Sequence, residues 1–309
     1  MIPSITWEYT RPSDRRQVRR CIIFEVGAAG VRRYQEIHGI LVTREVRRKN
    51  GGMTPDPLSP PKLPRRTIGI EVTLMLGVSL GYSAVWSVVD LIGKLVSGPL
   101  SSQTTSLNPS AATGRPGLDL AIQLVRILFG VVPAFLALYL LNRNGRDDPM
   151  GWRNRRIGFD IGWGVGLAAG IGLPGLALYG ASRALGINTT VVPEALPVLW
   201  WTVPILTLSA LQNAVVEEVV AVGYLLTRFD ELSWGVPVAV GLSALLRGTY
   251  HLYQGFGGFI GNIAMGVVFA LFFVRFKRVT PLIVAHAILD SVAFVGYLLL
   301  RGRLGFLGL

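Results

Sequence analysis

Apolar stretches long enough to cross a membrane follow one another along most of this chain of 309 residues. An α-helix rises 1.5 Å per residue, so about 20 apolar residues cover the roughly 30 Å of hydrocarbon in a bilayer. The pattern predicts an all-α fold, a polytopic membrane helix bundle with about seven transmembrane helices, or eight if one of the longer stretches contains two crossings. The predicted spans are 67–96, 118–141, 157–182, 197–226, 234–252, 258–275 and 280–300.

The composition agrees with a membrane protein. Hydrophobic residues make up 51% of the chain and charged residues only 16%, whereas a soluble protein carries about 25% charged residues. The 37 glycines fit this class, because glycine lets membrane helices pack closely. The single cysteine, Cys21, excludes an intrachain disulfide.

The positive charge concentrates at the N-terminus. Residues 1–66 contain 14 Lys/Arg and 6 Asp/Glu and account for +8 of the net charge of +12. This predicts a disordered basic segment near anionic lipid, with a Pro-rich end, and it gives no support for nucleic-acid binding. Met53 is an alternative natural start of translation. After this segment we expect N-terminal membrane helices over 67–196, a second group of helices over 197–295 and a tail over 296–309.

Lys and Arg are distributed unevenly between alternate loops. With the N-terminus inside, the inside segments carry 23 Lys/Arg and the outside segments carry 4. Cytoplasmic loops hold the excess of these residues in membrane proteins. We therefore predict an integral protein of the plasma membrane with a cytoplasmic N-terminus.

Two adjacent carboxylates, Glu217 and Glu218, stand inside the fourth predicted span. A charged side chain at the bilayer centre costs at least about 2.5 kcal/mol, so such residues face the protein interior and indicate a functional site. Charges nearer the span ends are expected to be structural, and Arg126, which lies deeper, is expected to extend toward the interface. The span-end charges are Glu71, Asp160 and the i,i+4 pair Asp90 and Lys94.

Two later spans carry polar residues at helical spacing. Arg247 and His251 are four residues apart in the fifth span, and His286 and Asp290 are four apart in the seventh. Residues at this spacing lie one turn apart on the same helix face. Together with the glutamate pair, three helices each present a narrow polar stripe, which favours an active site over isolated packing residues.

This set of residues supports hydrolysis by water. A glutamate near histidines can act as general base on a water molecule, with or without a metal ion. Two imidazoles and a carboxylate also match the ligands of hydrolytic zinc sites. An aspartate four residues after a histidine can orient its ring or, if protonated, stabilise an oxyanion. Because the set contains no serine or cysteine nucleophile, a covalent mechanism is not favoured.

The three stripes, in this order, resemble the CPBP family of CAAX proteases and bacteriocin-processing proteins, also called Abi proteins. The resemblance covers about residues 197–295 and leaves the first three spans outside. The family motifs EExxxR, FxxxH and HxxxN/D correspond here to Glu217-Glu218-Val-Val-Ala-Val222, Arg247-Gly-Thr-Tyr-His251 and His286-Ala-Ile-Leu-Asp290.

The resemblance implies an intramembrane metalloendopeptidase of the CAAX-protease type. By this analogy Glu217 and His251 activate the attacking water, and His286 and Asp290 hold a metal or stabilise the oxyanion. If a metal is bound, zinc is implied, with Glu217, His251 and His286 as ligands; otherwise no cofactor is implied. The implied partners are the lipid bilayer and a peptide or membrane-protein substrate presented from the cytosolic side.

Two positions depart from the family motifs. Val222 stands where the first motif has arginine, and Arg247 stands where the second has phenylalanine. Because Arg247 is on the active face of the fifth span, we predict that it supplies to Glu218, from the neighbouring helix, the positive charge that Val222 cannot. The predicted catalytic residues are Glu217, Glu218, Arg247, His251, His286 and Asp290.

Two other functions compete with a peptidase. A catalytically silent membrane scaffold or regulator is the main alternative, since the departures from the motifs are also compatible with a site that has lost its activity. A transporter, in which the same charges form an ion path, is less favoured because the sequence shows no matched inverted repeats.

Overall fold

The computed structural model of the protein describes residues 24–27, 30–33, 63–143, 145 and 148–300. Most of the predicted disordered segment and the end of the predicted tail lie outside these residues. The chain divides into two compact units, Met1–Ser59 and Pro60–Leu309. In the first unit, β1 (Phe24–Gly27) and β2 (Gly30–Arg33) pair antiparallel.

The second unit is built from α-helices. A π-helical segment, Glu218–Tyr224, joins the helix that ends at Glu217 to the helix that begins at Leu225. Two short parallel strands, β3 (Thr104–Ser106) and β4 (Thr190–Val192), bring two loops together. The helices are α1 (Arg65–Gly77), α2 (Leu80–Ser97), α3 (Pro116–Gly130), α4 (Val132–Asn142), α5 (Ile157–Ala184), α6 (Thr202–Glu217), α7 (Leu225–Glu231), α8 (Val236–Thr249), α9 (Phe256–Phe276) and α10 (Thr280–Leu300).

Six helical stretches among the described residues are long and apolar enough to cross a membrane, and α8 is a shorter apolar helix. The predicted all-α bundle of about seven membrane helices is therefore confirmed. The six long stretches are Leu80–Ser97, Pro116–Asn142, Ile157–Ala184, Thr202–Glu231, Phe256–Phe276 and Thr280–Leu300.

The first predicted span, 67–96, is wrong as a single helix, because the chain breaks between α1 and α2. The Ser79 hydroxyl donates to the carbonyl of Met75 at 2.5 Å. The chain then turns so tightly that a Cβ on Gly81 would lie 2.7 Å from the carbonyl oxygen of Leu76. A second break separates α3 from α4 just before Pro133, which has no backbone N–H to continue the hydrogen bonding of the helix.

The core of the second unit surrounds the π-helical segment. All seven residues of Glu218–Tyr224 are buried. The helices α8 and α9 pack against each other, and α10 packs on both α5 and α6. Large apolar side chains such as Trp86, Leu128 and Leu173 are exposed on the outside of the bundle, as expected of a surface that faces lipid.

Ion pairs hold the span-end charges, as predicted for structural residues. Asp90 and Lys94 form the expected i,i+4 pair, with 2.7 Å between Oδ2 and Nζ. Asp160 accepts two hydrogen bonds from Arg278, at 2.8 and 2.6 Å, which ties the start of α5 to the connection before α10. Arg126 is exposed on α3, and its extension toward the interface stays a prediction.

Candidate active site

The π-helical segment begins between the two adjacent glutamates: Glu217 is the last residue of α6 and Glu218 the first of the segment. Neighbouring residues on an α-helix point about 100° apart, so two adjacent carboxylates do not normally share a partner. Here both reach Arg247, whose Nη2 lies 2.6 Å from Glu218 Oε1 and whose Nη1 lies 3.4 Å from Glu217 Oε2. Single π-helical turns inside α-helices are frequent at functional sites.

Contacts from outside the segment stabilise its unusual backbone. The Ser243 hydroxyl on α8 donates to the carbonyl of Ala221 at 2.6 Å. A Cβ on Gly223 would meet the sulfur of Met150, so Met150 would have to move to admit one. The segment is also rich in valine, a β-branched residue with reduced helix propensity. Local sequence and tertiary packing therefore both favour the departure from α-helical geometry.

Arg247 provides the positive charge of the site. Its side chain is 1% exposed and its guanidinium lies over the ring of Phe269, 5.5 Å from the centroid. Val222, where the family motif has arginine, is fully buried in the apolar core. The predicted pairing of Glu218 with Arg247 across helices is therefore confirmed.

His286 links the two glutamates to Asp290. Its Nδ1 lies 2.7 Å from Glu218 Oε1, and because a carboxylate accepts, Nδ1 donates this hydrogen bond. Its Nε2 points the other way, 4.0 Å from Glu217 Oε2 and 3.6 Å from Asp290 Oδ1. His286 and Asp290 thus lie on one face of α10, as their spacing predicted.

His251 departs from the prediction that it lies on the same helix as Arg247. The helix α8 ends at Thr249, and His251 precedes a 3₁₀ turn, Leu252–Gln254. Gly255 closes this loop with φ of 111°, a conformation that favours glycine. The spacing to Arg247 still matters, because His251 Nδ1 lies 3.0 Å from the Arg247 carbonyl. A carbonyl only accepts, so Nδ1 carries a hydrogen and Nε2 of the neutral ring keeps its lone pair.

Two residues of the site were not predicted from the sequence. The Tyr250 hydroxyl donates to Glu217 Oε2 at 2.7 Å, and Asn213 Nδ2 lies 3.5 Å from Asp290 Oδ2. Buried tyrosines usually find a partner for the hydroxyl, and Tyr250 stands directly before His251 in the motif, so a signal was present. Asn213 lies four residues before Glu217, on the same face of α6.

Part of the site borders a cavity of about 520 Å³. Glu217, Tyr250, His251, His286 and Asp290 line it, whereas Glu218 and Arg247 lie behind them. The two helix breaks, at Val78–Ser79 and Gly130, also line this cavity. Non-helical backbone at membrane depth is tolerated where it borders a water-filled space, so these breaks fit a cavity that admits water.

The donor atoms of the site fit a divalent metal ion by type. Ligand atoms of Glu217, Glu218 and His286 lie within 4.8 Å of one another, and Glu218 Oε2 is buried without a hydrogen-bond partner among the described residues. Carboxylate oxygen and imidazole nitrogen suit zinc. The group contains Glu218 in place of the predicted His251, and Arg247 shares its two carboxylates. Zinc binding stays a prediction.

These features define a class: a polytopic membrane protein with a buried cluster of Glu, His and Arg beside an internal cavity. Residues 199–292 match the model of a family described as type II CAAX prenyl endopeptidase Rce1-like. The match includes all three motifs and confirms the resemblance to the CPBP family over α6 to α10. At the level of the family it indicates an intramembrane protease of the CAAX type. No curated protein and no solved structure matches the chain.

Proposed function

We propose that the protein is an intramembrane endopeptidase that uses water to hydrolyse a peptide bond of a CAAX-like or other membrane-associated substrate. The observation that carries the proposal is the convergence of Glu217, His251 and His286 on one cavity. Arg247 and Glu218 support them from behind by charge-assisted hydrogen bonds. The match to the Rce1-like family supports the reaction class.

Glu217 acts as the general base in this proposal. Tyr250 and Arg247 both bind its Oε2, which fixes the plane of the carboxylate. We assign Oε1 as the oxygen that accepts a proton from the attacking water. The same group then returns the proton to the departing amine, so that one peptide bond and one water give a carboxylate and an amine.

The two histidines have different roles because their hydrogen bonds differ. His251 donates through Nδ1 to a carbonyl, so its Nε2 accepts a hydrogen bond from the water and orients it. His286 donates through Nδ1 to Glu218, so in its protonated form Nε2–H stabilises the oxyanion that develops on the substrate carbonyl. Asp290, 3.6 Å from that nitrogen, keeps the ring in place.

In the alternative arrangement, in which Nε2 of His286 carries no proton, a zinc ion would be held by Glu217, His286 and either Glu218 or His251. When bound, it would supply a water of lowered pKa. Elemental analysis of the purified protein tests this prediction: one zinc per chain, lost in Glu217→Gln, supports it, and no metal in an active preparation contradicts it. The comparison of Glu218→Gln with His251→Gln identifies the third ligand.

The loops that line the cavity limit the routes by which substrate can enter. Leu107, Asn108 and Gln254 line it, and they belong to loops that the predicted orientation places outside. Cytosolic presentation of the substrate therefore requires either the opposite orientation or entry from the bilayer. Labelling of a cysteine placed at Asn108 in a Cys21→Ser background by a membrane-impermeant thiol reagent decides: reaction in intact cells supports the predicted orientation, and protection with labelling only after lysis contradicts it.

The test of the proposed reaction uses protein reconstituted in liposomes. The probe is an internally quenched peptide that ends in a prenylated CAAX sequence, with the unprenylated peptide beside it. We expect wild type to release products that mass spectrometry assigns to a single internal cleavage, and Glu217→Ala to release none while it remains folded. A scaffold would instead retain its cellular phenotype in Glu217→Ala, and cleavage by this variant would exclude the proposed base.

A further inference from the structure

The loop that carries His251 is held by residues from outside the part of the chain that matches the family. This loop, 250–255, connects α8 to α9. Its residue Tyr253 donates its backbone N–H to the Ser87 hydroxyl on α2 at 2.7 Å. Its carbonyl accepts from Lys94 Nζ at 2.5 Å and from the Thr105 hydroxyl at 3.2 Å. Both backbone polar groups of Tyr253 are therefore bound by side chains distant in sequence.

Lys94 is the charged member of this arrangement, and its three donors have three acceptors. Besides the Tyr253 carbonyl, Nζ lies 2.9 Å from Thr105 Oγ1 and 2.7 Å from Asp90 Oδ2. An ammonium group has three N–H bonds, so this set satisfies it completely. The side chain is 15% exposed, and a charge so far removed from water is retained only with partners of this quality.

The next residue of the loop is bound from a third direction. The Gln254 carbonyl accepts from the backbone N–H of Thr189 at 3.0 Å. Thr189 also contacts Thr105 through their hydroxyls at 2.8 Å, next to the pairing of β3 with β4. The loops that carry β3 and β4, together with α2, therefore form one hydrogen-bonded network that holds the loop of His251.

We propose that Lys94 is a positioning residue for catalysis. It holds the Tyr253 carbonyl and so keeps Nε2 of His251 directed at the water that Glu217 activates. The ring of Tyr253 stacks on that of His251, with 6.2 Å between centroids, which gives a direct connection from the held backbone of Tyr253 to the histidine. This inference rests on the proposed function, but the anchoring itself does not depend on it.

The first experiment measures the anchoring without reference to activity. Lys94→Met keeps the apolar stem and removes the three donors, and Lys277→Met is the matched control on the connection between α9 and α10. We expect faster hydrogen–deuterium exchange over 250–255 in Lys94→Met, with α10 unchanged and no effect of Lys277→Met. Unchanged exchange in the loop would overturn the proposal, whether or not the protein is a peptidase.

The second experiment measures the catalytic consequence on the prenylated quenched peptide. A misplacement of about 1 Å can reduce a rate by about 100-fold, so we expect Lys94→Met to lower kcat by about 10- to 100-fold with KM unchanged. Equal losses in kcat and in folded fraction, or a change confined to KM, would contradict a positioning role. Ser87→Ala, which removes one neutral hydrogen bond to the backbone of the same residue, Tyr253, should show a smaller change of the same kind and serves if Lys94→Met does not fold. No cleavage by wild type would reject the proposed function while leaving the exchange result to decide the anchoring.

Discussion

Two buried clusters of arginine and glutamate can be compared in the described part of the chain. The site cluster consists of Arg247 with Glu217 and Glu218, and the helix-joining cluster consists of Arg228 with Glu71 and Glu231. Their arginines are equally buried, at 1% and 0% exposure of the side chain. Charge pairing and burial therefore do not distinguish a catalytic from a structural cluster.

The surroundings of the two clusters differ. Arg228 binds Glu71 at 2.5 Å, Glu231 at 2.7 Å and the Leu140 carbonyl at 3.0 Å, and so joins α7 to α1 and α4. None of its three ionised residues lines the cavity beside Glu217. The site cluster contacts His286, and Glu217 borders the cavity with 13% of its side chain exposed. A carboxylate that lies beside a histidine and borders the cavity is what makes the site cluster suitable for the proposed catalysis.

Replacing the two arginines is the strongest way to separate the clusters. Removing one partner of a buried ion pair costs about 3–5 kcal/mol, so Arg247→Met and Arg228→Met should both destabilise the protein by this amount. Arg247→Met should in addition lower kcat per folded molecule by about 100-fold or more, because Glu217 and the oxyanion-stabilising His286 lose their shared support. Denaturation by SDS and cleavage rates corrected for folded fraction provide the two readings.

Equal activity of the two folded variants would show that the site cluster is only structural.

The double exchange Val222→Arg with Arg247→Phe examines whether the positive charge can return to the glutamate helix. Val222 lies on the π-helical segment, four residues after Glu218, from where an arginine can reach that carboxylate. We expect each single change to lose most activity and the pair to recover at least about one tenth of the wild-type kcat, since one hydrogen-bonded charge pair is restored.

No recovery in a folded double variant would mean that Arg247 does more than replace the missing charge.

Removing single hydroxyls tests the same comparison at a smaller scale. Tyr250 donates to Glu217, whereas Tyr224 lies against Arg228 with 5.3 Å from its ring centroid to the guanidinium. A hydrogen bond to a charged group contributes about 1.5–3 kcal/mol, so Tyr250→Phe should lower kcat by about 10- to 150-fold. Tyr224→Phe, which alters a neighbour of the helix-joining cluster, should leave kcat unchanged.

A similar loss in both variants would point to a general effect on packing rather than to support of the base.

The sequence predicted about seven membrane helices and most members of the site, because both depend on local patterns. Apolar length is sufficient to place seven helices, and i,i+4 spacing is sufficient to put His286 beside Asp290. The arginine exchanged between motifs predicted the pairing of Arg247 with Glu218, which the contact at 2.6 Å confirms.

The rest depends on contacts between residues far apart in sequence. Arg228 falls in the predicted inside loop between the fourth and fifth spans. In the structure it is buried against Glu71, 157 residues away. The π-helical segment depends on Ser243 and Met150 from other elements, and local periodicity does not contain their positions. The end of α8 before His251 likewise follows from the loop at Gly255, since the apolar pattern alone would continue the helix.

The rate of cleavage of the prenylated quenched peptide by Glu217→Gln, measured beside Glu71→Gln in liposomes, tests the central claim most directly. Both variants replace a glutamate that pairs with a buried arginine by its neutral isostere. We predict that Glu217→Gln loses about 1,000-fold or more in kcat while remaining folded, because the general base is removed. Glu71→Gln should keep the wild-type kcat per folded molecule. A Glu217→Gln protein that cleaves as fast as Glu71→Gln would contradict the assignment of this cluster as the active site.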